Sequence, residues 1–283
     1  MAITSHIPRG DVTATLNFYS PPADGSAPFN YVEEPPEGQP QRNFGAAPHH
    51  VTIHDARGRE PSFTLDNDAF AIIRDLPPSS ETEFLDDDSI RQKYYPELER
   101  LLLDHVPGSS KVVFFDHTIR RARPDAHRAP VTRVHIDQTA TSAELRVRRH
   151  LGEEADRLLR GRYRIINVWR PLNKEPVESF PLAFASSATL KDEDVVPVEH
   201  RYRSGYVGQT AGIRYSPDQQ WWYLSGMTGD ERILLECFDS EALKEGSGVK
   251  GGRVAHTAFE DPRTRPGAPG RESIEVRALV FGP

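Results

Sequence analysis

Short strand-like runs are the feature of this sequence that most restricts its fold. From residue 162 onward, β-branched and aromatic runs such as "RYRIINVW", "RILLECF" and "SIEVRALVF" are separated by turn residues, chiefly Gly, Pro, Asp and Asn. This spacing is typical of an antiparallel sandwich or barrel, because βαβ units would require a helix after nearly every strand. We therefore predict a mainly β protein with flanking helices, in the form of a double-stranded β-helix (a cupin-like jelly roll).

Two amphipathic helices are expected beside these strands. The first lies in "DDDSIRQKYYPELERLLLDHVPG", where acids precede apolar residues at helical spacing, and it is interrupted or begins near Pro96. The second covers 141–160, where leucines recur at helical spacing and Gly161 follows. Residues 21–50 are rich in Pro, Gly and charge and are predicted to form a long surface loop.

The length of the chain, 283 residues, is sufficient for one domain with a substantial core. We predict a single domain over 1–283. Its first part, 1–60, contains N-terminal strands and the long loop. A jelly-roll core follows over 110–281, with the helix 141–160 inserted into it.

Charge and composition limit the classes of partner. The formal net charge of −7 does not favour binding to nucleic acid or to an anionic membrane. No apolar segment approaches the roughly 20 residues that a membrane-spanning helix requires, and the N-terminal residues lack an apolar signal core. The single cysteine, Cys237, excludes an internal disulfide framework. We expect a cytoplasmic protein with a small-molecule partner; its oligomeric state is open, with a homodimer as one option.

A histidine and an aspartate two residues apart stand in the strand-like stretch "VTRVHIDQTA". Residues i and i+2 of a strand share a face, so His135 and Asp137 can both point toward one ion. A second histidine would complete a 2-His-1-carboxylate triad, which is typical of non-haem Fe(II) and leaves coordination positions open. The alternative is that the pair consists of two polar residues on the solvated face of a sheet.

Three later histidines are candidates for the third ligand. His150 lies beside two arginines in the predicted helix, so it is interpreted as a surface residue. His256 is favoured over His200, because about six strands between it and His135 can return the chain to the same place. The segment around His256, "RVAHTAF", also alternates like a strand, whereas the charged "EHRYRSG" around His200 is expected to be solvated. His200 remains the alternative.

Several segments together resemble a known family. They are "VHIDQT", "YRIINVWRPL", "WWYLSGMTGDERILLECFDS", "HTAFEDPRT" and "RESIEVRALVF". Over residues 110–281 they resemble the gibberellin-desaturase-like and cephamycin 7α-hydroxylase-like proteins, which are Fe(II)/2-oxoglutarate oxygenases of secondary metabolism, including antibiotic biosynthesis. The resemblance implies that His135, Asp137 and His256 bind Fe(II), and that 2-oxoglutarate and O2 are the co-substrates.

The resemblance also suggests which residues bind 2-oxoglutarate. Arg271, together with Ser273, is expected to hold the distal carboxylate, because a guanidinium group matches a carboxylate with two parallel hydrogen bonds. The spacing from His256 to Arg271 is longer than in compact members of the wider superfamily, so Arg265 and Arg277 remain alternatives. Asn167 either donates a hydrogen bond to 2-oxoglutarate or only satisfies backbone groups at a strand end.

Three consecutive aromatic residues, Trp221, Trp222 and Tyr223, are candidates for a substrate pocket. Alternate residues of a strand face inward, so one of the two tryptophans is expected in the core and the other in the pocket.

The leading functional hypothesis is hydroxylation or desaturation of a small secondary metabolite with Fe(II) and 2-oxoglutarate. The first alternative is an iron oxidase or oxidative cyclase that does not use 2-oxoglutarate, in which Arg271 would hold a carboxylate of the substrate. The second is a non-enzymatic jelly-roll binding module.

Overall fold

The computed structural model describes residues 7–121 and 129–282. Within these ranges most of the regular structure is β. The strands are β1 Val12–Ser20, β2 Phe29–Tyr31, β3 Gly45–Asp55, β4 Phe70–Ile73, β5 Lys111–Arg120, β6 His135–Ile136, β7 Tyr163–Pro171, β8 Leu182–Ala185, β9 Val195–Arg201, β10 Val207–Ile213, β11 Trp221–Tyr223, β12 Arg232–Asp239, β13 His256–Ala258 and β14 Ser273–Phe281.

The helices of the described residues are short. They are α1 Leu65–Asp68, α2 Asp87–Ser89, α3 Tyr95–His105, α4 Ala140–Leu151 and α5 Ala155–Leu158, with a π-helical turn at Ile90–Tyr94. Single turns of 3-10 helix lie at Glu60–Ser62, Gly152–Glu154, Ser187–Thr189, Asp192–Asp194 and Ser240–Leu243. No helix in the described ranges is both long enough and apolar enough to span a bilayer.

The strands form two sheets that pack face to face. The large sheet has nine strands in the order β1-β3-β11-β8-β13-β6-β10-β9-β2, and the small sheet has five in the order β4-β12-β7-β14-β5. One cluster of buried residues joins the sheets, because it contains Leu16 and Ile136 from the large sheet and Ile165 and Leu279 from the small one. The architecture is the predicted jelly roll, a double-stranded β-helix.

Strand β14 shows how the sequence divides the interior into an apolar and a polar end. Ile274 and Val276 face outward and pack beneath α3, while the alternate residues face the large sheet. On that inner face, Leu279 belongs to the apolar core, whereas Glu275 and Arg277 line a cavity. The polar end of the interior is therefore the place to look for chemistry.

The predicted helix 141–160 is interrupted, which corrects the sequence interpretation. Helix α4 ends at Leu151, and Gly152 adopts a φ of +52°, a conformation that L side chains rarely adopt. A 3-10 turn and the short helix α5 then follow.

The predicted loop 21–50 is shorter than expected. It contains β2, and its last six residues belong to β3, because β3 pairs with β1 from Val12–Ile53 to Ser20–Gly45.

The interruption expected near Pro96 is confirmed. The π-helical turn Ile90–Tyr94 precedes α3, and Pro96 occupies the second position of α3. Proline is tolerated there because its missing N–H would have no partner within the helix in any case.

Candidate active site

The two histidines favoured from the sequence lie directly opposite each other. Strands β6 and β13 are neighbours in the large sheet, and His135 and His256 form their antiparallel pair. The centres of the two imidazole rings are 4.5 Å apart. Asp137 follows β6, and one ligand atom from each of the three residues lies within 4.8 Å of the others. The structure thus brings His135, Asp137 and His256 together at one point.

The imidazoles are oriented by their own backbone. Nδ1 of His135 donates to the carbonyl of Arg133 at 2.8 Å, and Nδ1 of His256 lies 3.3 Å from the carbonyl of Val254. Because a carbonyl can only accept a hydrogen bond, these contacts place the proton on Nδ1 and leave Nε2 free as a ligand. Burial, and then the neighbouring His135, lower the pKa of His256 to about 4, which keeps it in the neutral form that binds metals.

Asp137 is held from the opposite sheet. Its Oδ2 accepts hydrogen bonds from Nδ2 of Asn167 and Nε of Arg277, each at 2.8 Å. Its Oδ1 lies 3.4 Å from Nε2 of His135. Burial alone would raise the pKa of this carboxyl group, but the charge of the adjacent Arg277 holds it well below its usual range. Oδ1 of a charged carboxylate is therefore the oxygen that faces the imidazoles.

The donor set fits a ferrous ion. Two imidazole nitrogens and one carboxylate oxygen are the ligands of the 2-His-1-carboxylate sites, which leave positions open on non-haem Fe(II). A cavity of about 210 Å³ lies beside the three residues, so room for further ligands is present on the open side. Its walls come from both sheets and are formed by Thr118, Arg120, Val131, Arg133, His135, Asp137, Trp169, Leu182, His200, Thr210, His256, Thr257, Ala258, Arg271, Ser273, Glu275 and Arg277.

Arg271 is a buried cation at this cavity. Its side chain is only 4% exposed, Nη1 donates to the carbonyl of Phe180 at 2.8 Å, and the guanidinium lies over the ring of Trp169. Nε has no hydrogen-bond partner, and no ion pair links Arg271 to a carboxylate in 7–121 or 129–282. Burial, and then the nearby Arg120, lower its pKa to about 9. Such an unneutralised guanidinium is suited to binding an anion. Ser273 lines the cavity with it.

The two alternative arginines already have acidic partners. Arg265 forms two hydrogen bonds with Glu178, at 2.9 and 3.0 Å, and it does not line the cavity. Arg277 lines the cavity, but its nitrogens bind Asp137, Glu275 and Asp116. Of the three arginines considered from the sequence, Arg271 is thus the one at the cavity without an acidic partner among the described residues.

Asn167 does not have the position expected of a co-substrate ligand. It is fully buried, is absent from the cavity wall and donates to Asp137. The reason is the strand register: Asn167 on β7 pairs with Arg277 on β14, so both side chains reach the same carboxylate oxygen. Its interpretation as a 2-oxoglutarate ligand is corrected to a support for the aspartate.

The aromatic triplet lies in the core, which corrects the pocket interpretation. Trp221 is fully buried against Phe18, and Trp222 contacts Phe63. The hydroxyl of Tyr223 donates to the carbonyl of Gly10 at 2.7 Å. None of the triplet is part of the cavity wall, because β11 is separated from β6 by β8 and β13.

His200, the alternative candidate for the third ligand, lines the cavity but does not belong to the three-residue metal cluster of the described residues. It was expected to be solvated, but it lies on β9, faces the cavity and has its pKa lowered by burial. The signal was the alternation of Val196, Val198 and His200, which share one face of the strand. His150 is exposed, as predicted.

Comparisons with known proteins agree with this geometry. A family model described as "Oxidoreductase/YMDC permease-like domain" matches residues 16–281. The hydroxylase/desaturase poxK of Penicillium oxalicum is 41% identical over 267 residues, covering 86% of this chain and 82% of that protein. The Fe(II)/2-oxoglutarate-dependent dioxygenase nvfI of Aspergillus novofumigatus is 36% identical over 247 residues, covering 86% of each chain.

A solved structure extends the likeness to the whole fold. The structure of the iron and alpha-ketoglutarate-dependent endoperoxidase NvfI superposes with a TM-score of 0.87 at 32% identity, covering 97% of this chain and 99% of that one.

Fold and site together define a class: a jelly-roll oxidoreductase with a candidate 2-His-1-carboxylate centre at the polar end of its interior. The chain belongs to the matched oxidoreductase family, and its relatives place it among the Fe(II)/2-oxoglutarate-dependent hydroxylases, desaturases and dioxygenases.

Proposed function

We propose that this protein uses Fe(II), 2-oxoglutarate and O2 to hydroxylate or desaturate a small secondary metabolite. The observation that carries the proposal is the convergence of His135, Asp137 and His256 at a cavity that also contains Arg271, a cation with no acidic partner in 7–121 or 129–282. The names of the relatives support the same cofactor and co-substrate.

Each residue has a distinct role in this proposal. The metal would be held by Nε2 of His135, Nε2 of His256 and Oδ1 of Asp137. When bound there, iron with its co-substrates supplies the oxidising power that removes hydrogen from a C–H bond. The protein supplies a fixed ligand geometry, because both imidazoles are oriented by backbone carbonyls and the carboxylate is held at Oδ2.

Arg271 would bind the distal carboxylate of 2-oxoglutarate, with the hydroxyl of Ser273 as a second donor. A carboxylate at this position would neutralise a buried guanidinium that has no directly bonded acidic partner among the described residues. Trp169 and Leu182 form apolar parts of the same wall, and an apolar surrounding would strengthen the ion pair.

The decisive test compares Arg271→Gln with the matched control Arg265→Gln, whose arginine is paired with Glu178 outside the cavity. Binding of 2-oxoglutarate to the Fe(II)-loaded protein is measured anaerobically by calorimetry. We expect Arg271→Gln to weaken binding of 2-oxoglutarate about 10- to 100-fold, because the variant removes a charge-assisted hydrogen bond to the carboxylate. The affinity for Fe(II) should be unchanged. Arg265→Gln should bind as the wild type does. Equal 2-oxoglutarate affinity in both variants would contradict the role of Arg271.

The same protein can be used to test the alternative of an iron oxidase or cyclase that does not use 2-oxoglutarate. Consumption of O2 with substrate but without 2-oxoglutarate would support that alternative, whereas strict dependence on 2-oxoglutarate with formation of succinate supports the proposal. The narrower resemblance to gibberellin-desaturase-like and cephamycin 7α-hydroxylase-like proteins stays a prediction, and so does the choice between hydroxylation and desaturation.

A further inference from the structure

A second arginine without an acidic partner in the part of the chain that the structure describes lines the cavity, on the large-sheet side. Arg133 lies two residues before His135 and four before Asp137, so strand periodicity directs the three side chains to one face. All three line the same cavity. Arg133 and His200 belong to the large-sheet wall, whereas Arg271 lies immediately before β14 in the small-sheet wall. Arg133 thus lies on the large-sheet side of the metal ligands, and Arg271 lies on the small-sheet side.

The charge of Arg133 has no counter-charge in the described structure. No hydrogen bond or ion pair joins its guanidinium to residues 7–121 or 129–282, and it lies over the ring of Phe44, 5.0 Å from the centroid. Arg277, by contrast, is surrounded by carboxylates. Arg133 therefore offers unused donors to a ligand in the cavity.

The two co-substrate carboxylates do not account for this second cation. In the proposed function, the distal carboxylate of 2-oxoglutarate is bound by Arg271 and the other end lies at the metal. Arg133 would then still face the cavity without an anion. The burial of the two residues also differs: Arg271 is buried, whereas Arg133 is half-buried and so more accessible to a ligand that enters from solvent.

We propose that the substrate is a carboxylic acid and that Arg133 binds its carboxylate. Phe44 fixes the plane of the guanidinium by stacking, and His200 and Thr210 stand in the same wall as additional polar contacts. The carboxylate at Arg133 would orient the remainder of the molecule toward the metal ligands, two positions along the same strand. This inference rests on the proposed function, because it assigns 2-oxoglutarate to Arg271.

The test uses the full protein loaded with Mn(II) and 2-oxoglutarate. The probes are decanoate, 4-phenylbutanoate and cyclohexylacetate, each compared with its primary amide. Proton relaxation of the probe, enhanced by nearby Mn(II), reports both affinity and position within the cavity. We expect at least one acid to bind with enhanced relaxation and at least 10-fold more tightly than its amide.

The variants separate the roles of the arginines. Arg133→Gln should weaken binding of the acid at least 10-fold and leave the affinities for Mn(II) and 2-oxoglutarate within about threefold of wild type. Arg133→Lys should retain part of the acid binding, because it keeps the charge. Arg42→Gln is the matched control: it removes a nearby exposed charge that is not part of the cavity wall, and it should bind the acid as the wild type does.

Three results would overturn the inference. The first is that no acid binds better than its amide, and the second is that Arg133→Gln binds the acid normally. The third is a loss of 2-oxoglutarate affinity in Arg133→Gln as large as that in Arg271→Gln, which would make Arg133 a co-substrate residue while leaving the proposed function intact. Failure of the proposed function has a different signature, namely that wild-type protein with Fe(II) does not bind 2-oxoglutarate.

Discussion

The two walls of the cavity are built differently. In the large-sheet wall, the ligand strands β6 and β13 have two and three residues and pair with each other at one position only. In the small-sheet wall, β14 has nine residues and pairs along its whole length with β5 on one side and β7 on the other. The metal ligands thus lie on or beside short, sparsely paired strands, whereas Arg277, which supports Asp137, lies on a long strand paired on both sides.

This difference shows how the ligand geometry is maintained. Short strands alone would hold Asp137 weakly, because it follows the end of β6 and has no ladder partner. Its carboxylate is instead held across the interior by Arg277 and Asn167, whose backbones are fixed in the middle of the small sheet. A buried charged group requires well-placed partners, and a fully paired strand provides the fixed backbone that places them.

The largest expected effect comes from removing a ligand from the large-sheet wall. His135→Ala should lower the affinity for Fe(II) or Mn(II) more than about 100-fold. Loss of a residue that only supports a ligand typically costs about 10- to 100-fold in metal affinity, and this variant removes the ligand itself. The fold should persist, because His135 makes no ion pair with the small sheet. Metal binding by calorimetry and the melting temperature of the metal-free protein check both points. His150→Ala, at an exposed helical position, is the control; equal metal affinity in the two variants would be evidence against the site.

Removing the support from the small-sheet wall should affect both metal binding and stability. Arg277→Gln should weaken metal binding about 10- to 100-fold, because Oδ2 of Asp137 loses its charged partner. The unfolding free energy should fall by about 3–5 kcal/mol, because Glu275 loses the guanidinium with which it forms an ion pair. Urea unfolding and calorimetry measure the two quantities.

A double variant distinguishes support of the ligand from support of the fold. Arg277→Gln combined with Glu275→Gln should recover part of the stability, since no unpaired carboxylate remains at residue 275. It should not recover the metal affinity. Recovery of both together would mean that Arg277 stabilises the fold alone, and that the two walls are not linked through Asp137.

The smallest of the three effects is expected from the neutral partner. Asn167→Ala removes one uncharged hydrogen bond to Asp137, so metal affinity should fall about 10-fold or less and the unfolding free energy by about 1–3 kcal/mol. The affinity for 2-oxoglutarate, measured at saturating metal, should change less than threefold. A selective loss of 2-oxoglutarate binding would restore the original interpretation of Asn167 as a co-substrate ligand.

Much of the site was predictable from local pattern. The period of two in a strand places His135 and Asp137 on one face, and the number of strands before His256 favours it over His200 as the residue that returns to them. Both arguments use only the two-residue period of a strand and the number of residues and strands between the ligands. The same period, applied to "VVPVEHRY", would have directed His200 inward, and applied to "RVHID" it would have directed Arg133 to the face of the ligands.

By itself, then, the sequence determined the class of fold, the metal-ligand candidates and the face on which each side chain lies, because these depend on neighbours a few residues away. Tertiary structure alone decided which arginine lacks an acidic partner among the described residues, since Glu178 and Asp116 are distant in sequence from the arginines they neutralise. It likewise decided that Asn167 supports Asp137 and that Trp221 and Trp222 are core residues. A strand pattern gives the face of a residue, but what lies opposite that face depends on how the two sheets pack.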